Sequence, residues 1–320
     1  MQRQRPEARE LKGPPDVLVS DLRPARGGTV GVLVAVPPPR DPLEALRRFG
    51  LRACHRLLRR RFVDVRLDGR PVPCFRRQSS PGPPGRRRRG GRPAREVWRS
   101  HLAFTPRDAP GARRLEVEVR DGRHARLEVA LDVREGAWPV ERLWLPPSKA
   151  ALTAAPPERR RTAAWRALRT PAQHWTGPFV APAAGEVTAG YGLQRVYNGV
   201  YAEGYYHKGV DYAGPTGAPV RAPQDGVVAL AGAEGAGFPL HGNCLGLDHG
   251  HGVGSLFLHL DAVAVAEGAR VKRGEVIGTI GNTGISTGPH LHWGLYVNGA
   301  CVDPAAWMEP ERGPGAAWSL

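Results

Sequence analysis

Residues 287–299 read TGPHLHWGLYVNG and place His290 and His292 one residue apart at the head of an alternating, strand-like run. On a β-strand, positions i and i+2 project from one face, roughly 6.5–7 Å apart. Two imidazoles so placed can share a metal ion, or one can hold the ion while the other moves a proton beside it. They can equally be polar residues on a solvated strand face. The segment YYHKGVDYAGP adds His207 and Asp211 in an H-x-x-x-D arrangement, in which Gly209, Val210 and Pro215 argue against a helix. On a straight strand that pair would stand roughly 13 Å apart. To reach one ion the backbone must bend, and Gly209 is the residue expected to permit it. His259, in SLFLHLD, sits on a third strand pattern, where a buried structural histidine is the plain alternative.

Two imidazole nitrogens and one carboxylate form a tripod that zinc accepts, with a fourth position open to water. The residual charge of the ion lowers the pKa of that water to about 7 and polarises a neighbouring carbonyl. No H-E-x-x-H motif is present and no glutamate is suitably placed, so the remaining histidines are the candidates for accepting a proton and stabilising an oxyanion.

The elements that must position these groups lie in a glycine-dense half. From Thr176 onward, GEVTAGYG, APVRAPQDGVVALAG, NCLGLDHG, VGSLFLHL and RVKRGEVIGTIG are strand patterns separated by turns. They predict an antiparallel β-domain over 176–312, with a tail at 313–320. Upstream, short strands bounded by Pro and Gly predict a small β-sandwich-like domain over 14–137, preceded by a tail at 1–13. Within it, RDGR between two strand patterns signals a hairpin, helical apolar spacing suggests an insertion at 42–60, and 79–95 reads as a basic flexible loop. Residues 138–175 read as a linker with a short helix that starts at PPERRR and ends before Pro171. The fold class expected is mainly β, in two domains.

The chain of 320 residues carries a formal charge of +16. From Thr176 to the end, seven Lys and Arg stand against twelve Asp and Glu, a balance of −5, so the first 175 residues carry +21. The histidine-bearing half is mildly acidic, which separates its chemistry from the basic half. Arginine greatly outnumbers lysine, as a GC-rich coding bias would produce, and the block GRRRRGGRPAR lacks the aromatic interleaving of a nucleic-acid site. No specific nucleic-acid partner is expected. Four scattered cysteines, Cys54, Cys74, Cys244 and Cys301, form neither a disulfide framework nor a C-x-x-C knuckle. No apolar stretch follows the basic N-terminus to make a legible export signal, and no run is long enough to span a bilayer.

The ordered set HKGVD, FLHL and GPHLHWGLYVNG closely resembles the LytM/lysostaphin-type zinc metallopeptidases that cut peptide bonds of bacterial peptidoglycan. GEVTAGYG upstream, GAPVRAPQDGVV after the aspartate and GARVKRGEVIGTIGNTG before the histidine pair extend the likeness over roughly 179–307. The resemblance implies an antiparallel peptidase domain holding one Zn2+ per chain on His207, Asp211 and His292. It implies that His259 and His290 stand over the attacking water and the scissile carbonyl, one as general base and both as oxyanion stabilisers. Phe257 stands where many relatives carry Tyr, and His249 and His251 of LDHGHGVG are expected as exposed turn residues. His241 is expected in a loop, and His55, His101, His124 and His174 as structural or solvated groups.

The implied partner is the peptide stem of peptidoglycan, and the LQRVYNGVYAEGYY segment favours a DD-endopeptidase over a glycyl-glycine cutter. The basic N-terminal half would then hold an anionic envelope polymer, and the protein would work in the cell envelope, the periplasm or outside the cell. The alternative function is a catalytically silent or latent wall-binding activator of other wall hydrolases. The intact histidines and aspartate weigh against it.

Overall fold

The structure, a computed structural model, describes residues 9–11, 16–21, 24–36, 62–76, 96–120 and 124–309. The expected insertion at 42–60, the basic loop at 79–95 and the tail at 313–320 lie outside these residues, as does Cys54. Arg9–Leu11, expected within a tail, instead forms a strand antiparallel to Asp16–Val19.

Two sheets build the N-terminal domain. One contains Arg9–Leu11, Asp16–Val19, Thr29–Val36, Cys74–Arg76 and Glu96–Ala103; the other contains Phe62–Leu67, Arg70–Val72, Gly111–Arg120 and His124–Val133. Period-two alternation explains their facing. Val30, Val32, Val34 and Val36 from the first sheet and Val65, Leu115, Val117 and Leu131 from the second bury into one core. The strands flanking RDGR pair antiparallel without a break from Gly111↔Val133 to Arg120↔His124, as that signal requires.

The C-terminal domain centres on a continuous sheet in the order Val187–Ala189, Val210–Ala213, His290–Val297, Val253–Val263, Asn243–Gly250, Gly226–Gly232 and Arg270–Val271. Its main core gathers Trp175, Phe179, Phe257, Trp293 and Trp307 with aliphatic side chains. A second cluster, with Trp165 from the linker helix, fills the other side of the sheet. Cys74, Cys244 and Cys301 are free thiols. Among the described residues, no helix is long and apolar enough to cross a membrane.

The linker holds more structure than one helix. Pro156–Arg166 is the expected helix, but Val140–Leu143 is a strand parallel to Gln194–Tyr197, and Pro147–Ala150 is a further short helix. Glu158, fully buried, accepts the backbone N–H of Ala155 at 3.1 Å and of His241 at 2.7 Å, and also pairs with the His241 ring.

The two halves meet along a seam of rings. Phe75 stacks on His251 at 4.7 Å, and His101 lies 5.4 Å from Trp307 and 5.9 Å from Trp175. Asn298 Nδ2 donates to the His101 carbonyl at 2.8 Å, and the Asp303 N–H donates to Gly27 at 2.9 Å. Here the structure corrects the expectation for LDHGHGVG: His249 and His251 are both buried. His249 belongs to a strand, donating Nδ1–H to the Asp225 carbonyl at 2.8 Å while Nε2 accepts from Ser255 Oγ at 2.9 Å. His251 does occupy the following turn, at φ 54°, but the N-terminal sandwich covers it.

Burial pushes His249 and His251 down to about 4 from an ordinary 6.5. An unfolded chain binds protons on these rings at a pH where the folded chain refuses them. Their contribution to stability is therefore complete above about pH 6.5 and is lost as pH falls toward 4. For His249 alone the shift corresponds to about 3 kcal/mol. Urea unfolding followed from neutral pH into this window should show a progressive loss of stability that His249→Gln flattens. Stability that stays level across the window would contradict neutral burial.

Candidate metal centre and catalytic groups

Strand register assembles most of the site. Val210–Ala213 pairs antiparallel with His290–Val297, matching Val210↔Trp293, Asp211↔His292, Tyr212↔Leu291 and Ala213↔His290. Paired residues share a face, so Asp211, His290 and His292 project to one side while Val210, Tyr212, Leu291 and Trp293 bury in the core on the other. His207 comes from the irregular segment before the first of these strands. Its Nε2 lies 3.0 Å from Asp211 Oδ1 and 3.0 Å from His292 Nδ1, and His292 Nδ1 lies 2.8 Å from Asp211 Oδ1.

The chain does bend at Gly209, though its φ is not left-handed. What demands glycine is proximity. A Cβ there would collide with the Trp293 carbonyl and lie 2.8 Å from His292 Nε2.

The donor set fits a cation. His207 donates Nδ1–H to the Gly190 carbonyl at 2.8 Å, which leaves the neutral ring a lone pair at Nε2. That lone pair faces a carboxylate oxygen at 3.0 Å, so two acceptors meet with no donor between them. All three residues are buried, and their ligand atoms form the one such group of His, Cys, Asp or Glu among the described residues. Burial raises the Asp211 carboxyl, but its contacts with His207 and His292 outweigh this and hold it well below the usual carboxylate range. Burial also lowers His292, partly offset by Asp211.

His259 reaches the site by an irregularity. Asn243 pairs with Leu260 and Leu245 with Phe257, so three steps along one strand face two along the other. The extra residue is a β-bulge, with His259 at φ 64°. Regular alternation would send His259 to the side of Phe257, into the main core. The bulge inverts the parity: Phe257 and Leu260 both enter that core, and the His259 ring turns to stand 5.0 Å from His290 and 6.2 Å from His292. A left-handed non-glycine residue costs about 1–2 kcal/mol, and two bonds to backbone carbonyls hold it: His259 N–H to His241 O at 3.1 Å and the ring Nδ1–H to Thr283 O at 2.9 Å. His290 donates Nδ1–H to Gly288 O at 2.8 Å, with Ser286 Oγ 3.1 Å away. Each ring thereby keeps its Nε2 for the site. Burial, reinforced by His290 and His292, pushes His259 well below the ordinary histidine range and keeps it neutral. Phe257, buried in the core, takes no part in the site.

Beyond the five residues expected from sequence, the cleft recruits Arg195, Glu141 and the linker. Arg195 Nη2 stands 3.6 Å from Asp211 Oδ2, and its Nη1 stands 3.0 Å from Glu141 Oε2. Leu143 and Leu145 join the metal-site residues around a cavity of about 110 Å³. Asn198 grips the backbone of Leu145 through bonds of 2.7 and 3.0 Å, and Lys149 Nζ donates to the Asn282 and Gly284 carbonyls at 2.9 and 2.8 Å. Nothing in the local pattern around Glu141 announces a pairing with a strand more than fifty residues away. The only signal was QRVYNG itself, an arginine flanked by strand-forming residues just before His207.

The sequence profile of peptidase family M23 matches residues 205–304, which include all five histidine and aspartate positions. The DD-carboxypeptidase/endopeptidase Mpg of Neisseria meningitidis serogroup B is 48% identical over 104 residues, covering 32% of this chain and 23% of that relative. The peptidoglycan DD-endopeptidase ShyA of Vibrio cholerae is 42% identical over 97 residues, covering 30% of this chain and 22% of that relative. The chain thus spans less than a quarter of the length of these curated relatives. A solved structure from Pseudomonas aeruginosa, provisionally described as a peptidase M23, aligns with a TM-score of 0.53 at 26% identity, over 78% of this chain and 88% of that one.

Gly209→Ala tests the close approach. The added methyl must displace His292 or the strand that carries it, so affinity for a cation at this group should fall tenfold or more and thermal stability should drop, as read by metal titration and calorimetry. Unchanged affinity would mean that the approach is not needed.

Proposed function

We propose, since residues 205–304 are a peptidase family M23 domain, that this protein is a zinc-dependent endopeptidase acting on the peptide cross-links of bacterial peptidoglycan. One observation carries the reading: three buried atoms of metal-ligand type, His207 Nε2, Asp211 Oδ1 and His292 Nδ1, converge beside two imidazoles that each present Nε2. His207, Asp211 and His292 would hold one zinc ion. When bound, zinc supplies the Lewis acid that polarises the scissile carbonyl and acidifies water.

The protein's own groups do the remaining work. His259, kept neutral by burial and with Nδ1–H tied to Thr283, has a lone pair at Nε2 to take the proton of the attacking water. Once protonated there, the same nitrogen is a donor, able to hold the developing oxyanion and return the proton to the leaving amine. His290, oriented by Gly288 and Ser286, would need a second proton, on Nε2, to donate from the facing side as the second oxyanion stabiliser. The two named relatives are a DD-carboxypeptidase/endopeptidase and a peptidoglycan DD-endopeptidase, which supports a DD cross-link over a glycyl-glycine bridge as the bond cut. Such a substrate places the protein in the cell envelope or outside the cell, and the basic N-terminal half is suited to an anionic envelope polymer.

One observation favours a latent form of the same enzyme. The cavity of about 110 Å³, walled by linker residues, is smaller than the roughly 300 Å³ or more of ordinary ligand sites.

Zinc-loaded protein should release soluble muropeptides from purified, directly cross-linked sacculi, and mass analysis of the products should identify the cleaved bond. Release should vanish with a chelator and in His292→Ala. His290→Ala should keep its zinc and lose roughly 10²–10³-fold in kcat, the usual cost of removing an oxyanion donor. No release from protein carrying one equivalent of zinc would overturn active endopeptidase, and release by a linker-cleaved form alone would establish latency.

A further inference from the structure

Asp211 has two carboxylate oxygens with different neighbours. Oδ1 meets His207 and His292 at 3.0 and 2.8 Å, whereas Oδ2 faces Arg195 Nη2 at 3.6 Å. We propose that Arg195 is a positioning residue for Asp211, fixing the carboxylate so that Oδ1 points at the metal, and that Glu141 sets how much of the arginine's charge reaches that ligand. The inference rests on the zinc site proposed above and concerns residues upstream of the 205–304 match.

Three features support it. The Arg195 side chain is only 7% exposed, and a guanidinium taken out of water is stable only when paired. Its two Nη atoms face two carboxylates as ion pairs, Nη2 at 3.6 Å from Asp211 Oδ2 and Nη1 at 3.0 Å from Glu141 Oε2, a span that a lysine ammonium covers less well. The pairing is also built into the sheet. Glu141 and Arg195 sit opposite each other in the parallel register of Val140–Leu143 with Gln194–Tyr197, so backbone bonds rather than a flexible loop keep the acid beside the base. A cation beside Oδ2 disfavours rotation of the carboxylate about its bond to the chain, and that rotation is what would take Oδ1 out of the tripod. Glu141 offsets the arginine, whose uncompensated charge would compete with the cation for Asp211.

The test is a double-mutant cycle on the full chain, read by the zinc Kd from competition with a chromophoric chelator. Arg195→Gln should weaken zinc binding roughly 10- to 100-fold, the usual cost of losing an outer-shell partner. Glu141→Gln should weaken it about tenfold, and the double variant should be no weaker than Arg195→Gln alone, because Glu141 acts through the arginine. Arg195→Lys, which keeps the charge but not the span between both carboxylates, should recover only part of the affinity, and the visible spectrum of the Co2+-loaded protein should shift in Arg195→Gln. Thermal unfolding of the metal-free variants checks folding. If Arg195→Gln does not fold, Glu141→Gln measured in the wild-type and Arg195→Lys backgrounds carries the cycle.

A zinc Kd within twofold of wild type in every folded variant would overturn the proposal, as would a Glu141→Gln effect undiminished when Arg195 is absent. A raised KM at constant zinc Kd would also overturn it, assigning Arg195 to the substrate instead. Wild-type protein that binds zinc but cuts no cross-link would refute the proposed reaction and leave this cycle decisive for Arg195.

Discussion

Two ring nitrogens and a carboxylate oxygen, all of metal-ligand type, crowd together inside this protein, and the surrounding structure is arranged to hold them there. A carboxylate removed from water and set against two ring nitrogens would part from them, or seek protons, if the backbone allowed it. The backbone does not. Asp211 and His292 are locked opposite each other in antiparallel register, with Trp293 and Val210 buried in the core behind them. His207 is tied by its far nitrogen to Gly190, and only glycine at 209 lets the segment lie close enough to the His292 ring. The second layer obeys the same constraint. Each imidazole beside the tripod spends its Nδ1 hydrogen on a backbone carbonyl, which settles the tautomer and leaves Nε2 free.

The N-terminal sandwich takes part in this rigidity, since it is joined to the C-terminal domain by stacked rings and direct hydrogen bonds rather than by a lone tether. The linker between the two does three jobs. Its first strand supplies Glu141, the stretch that follows walls the cavity, and its helix inserts Glu158 beneath the loop whose His241 carbonyl receives the His259 amide. Both supporting carboxylates thus come from chain that a peptidase domain cut at 176 would lack.

Much of the site was legible before the fold was known, because its residues carry their spacing with them. His290 and His292 at i and i+2 require one strand face, and that face exists. The bend at Gly209 was foreseeable too, although its cause is crowding rather than a left-handed φ. His259 was misleading in a specific way. Alternation alone points it toward Phe257 and the core, and only the bulge, a mismatch between two strands, reverses it. His249 and His251 looked like turn residues because glycines surround them, yet what covers His251 is Phe75, from another domain. Glu141 and Arg195 were illegible for the same reason: parallel pairing across a long crossover leaves no mark on either strand.

The strand His290–Val297 has a consequence for how the protein is made. It lies between Val210–Ala213 and Val253–Val263 at the heart of the sheet, yet it follows both in the chain. Until it inserts, its two neighbours present open edges, and Asp211 is separated from His259 by the gap between them. Closing that gap joins residues 81 positions apart, a long-range step of the kind that limits folding rates. The strand brings His290 and His292 with it, so cleft and sheet are completed in a single event. A cation encountered by the growing chain would meet only fragments of the His207, Asp211 and His292 group, so the binding energy of any ion held there would accrue to the finished sheet, as a late lock on the fold.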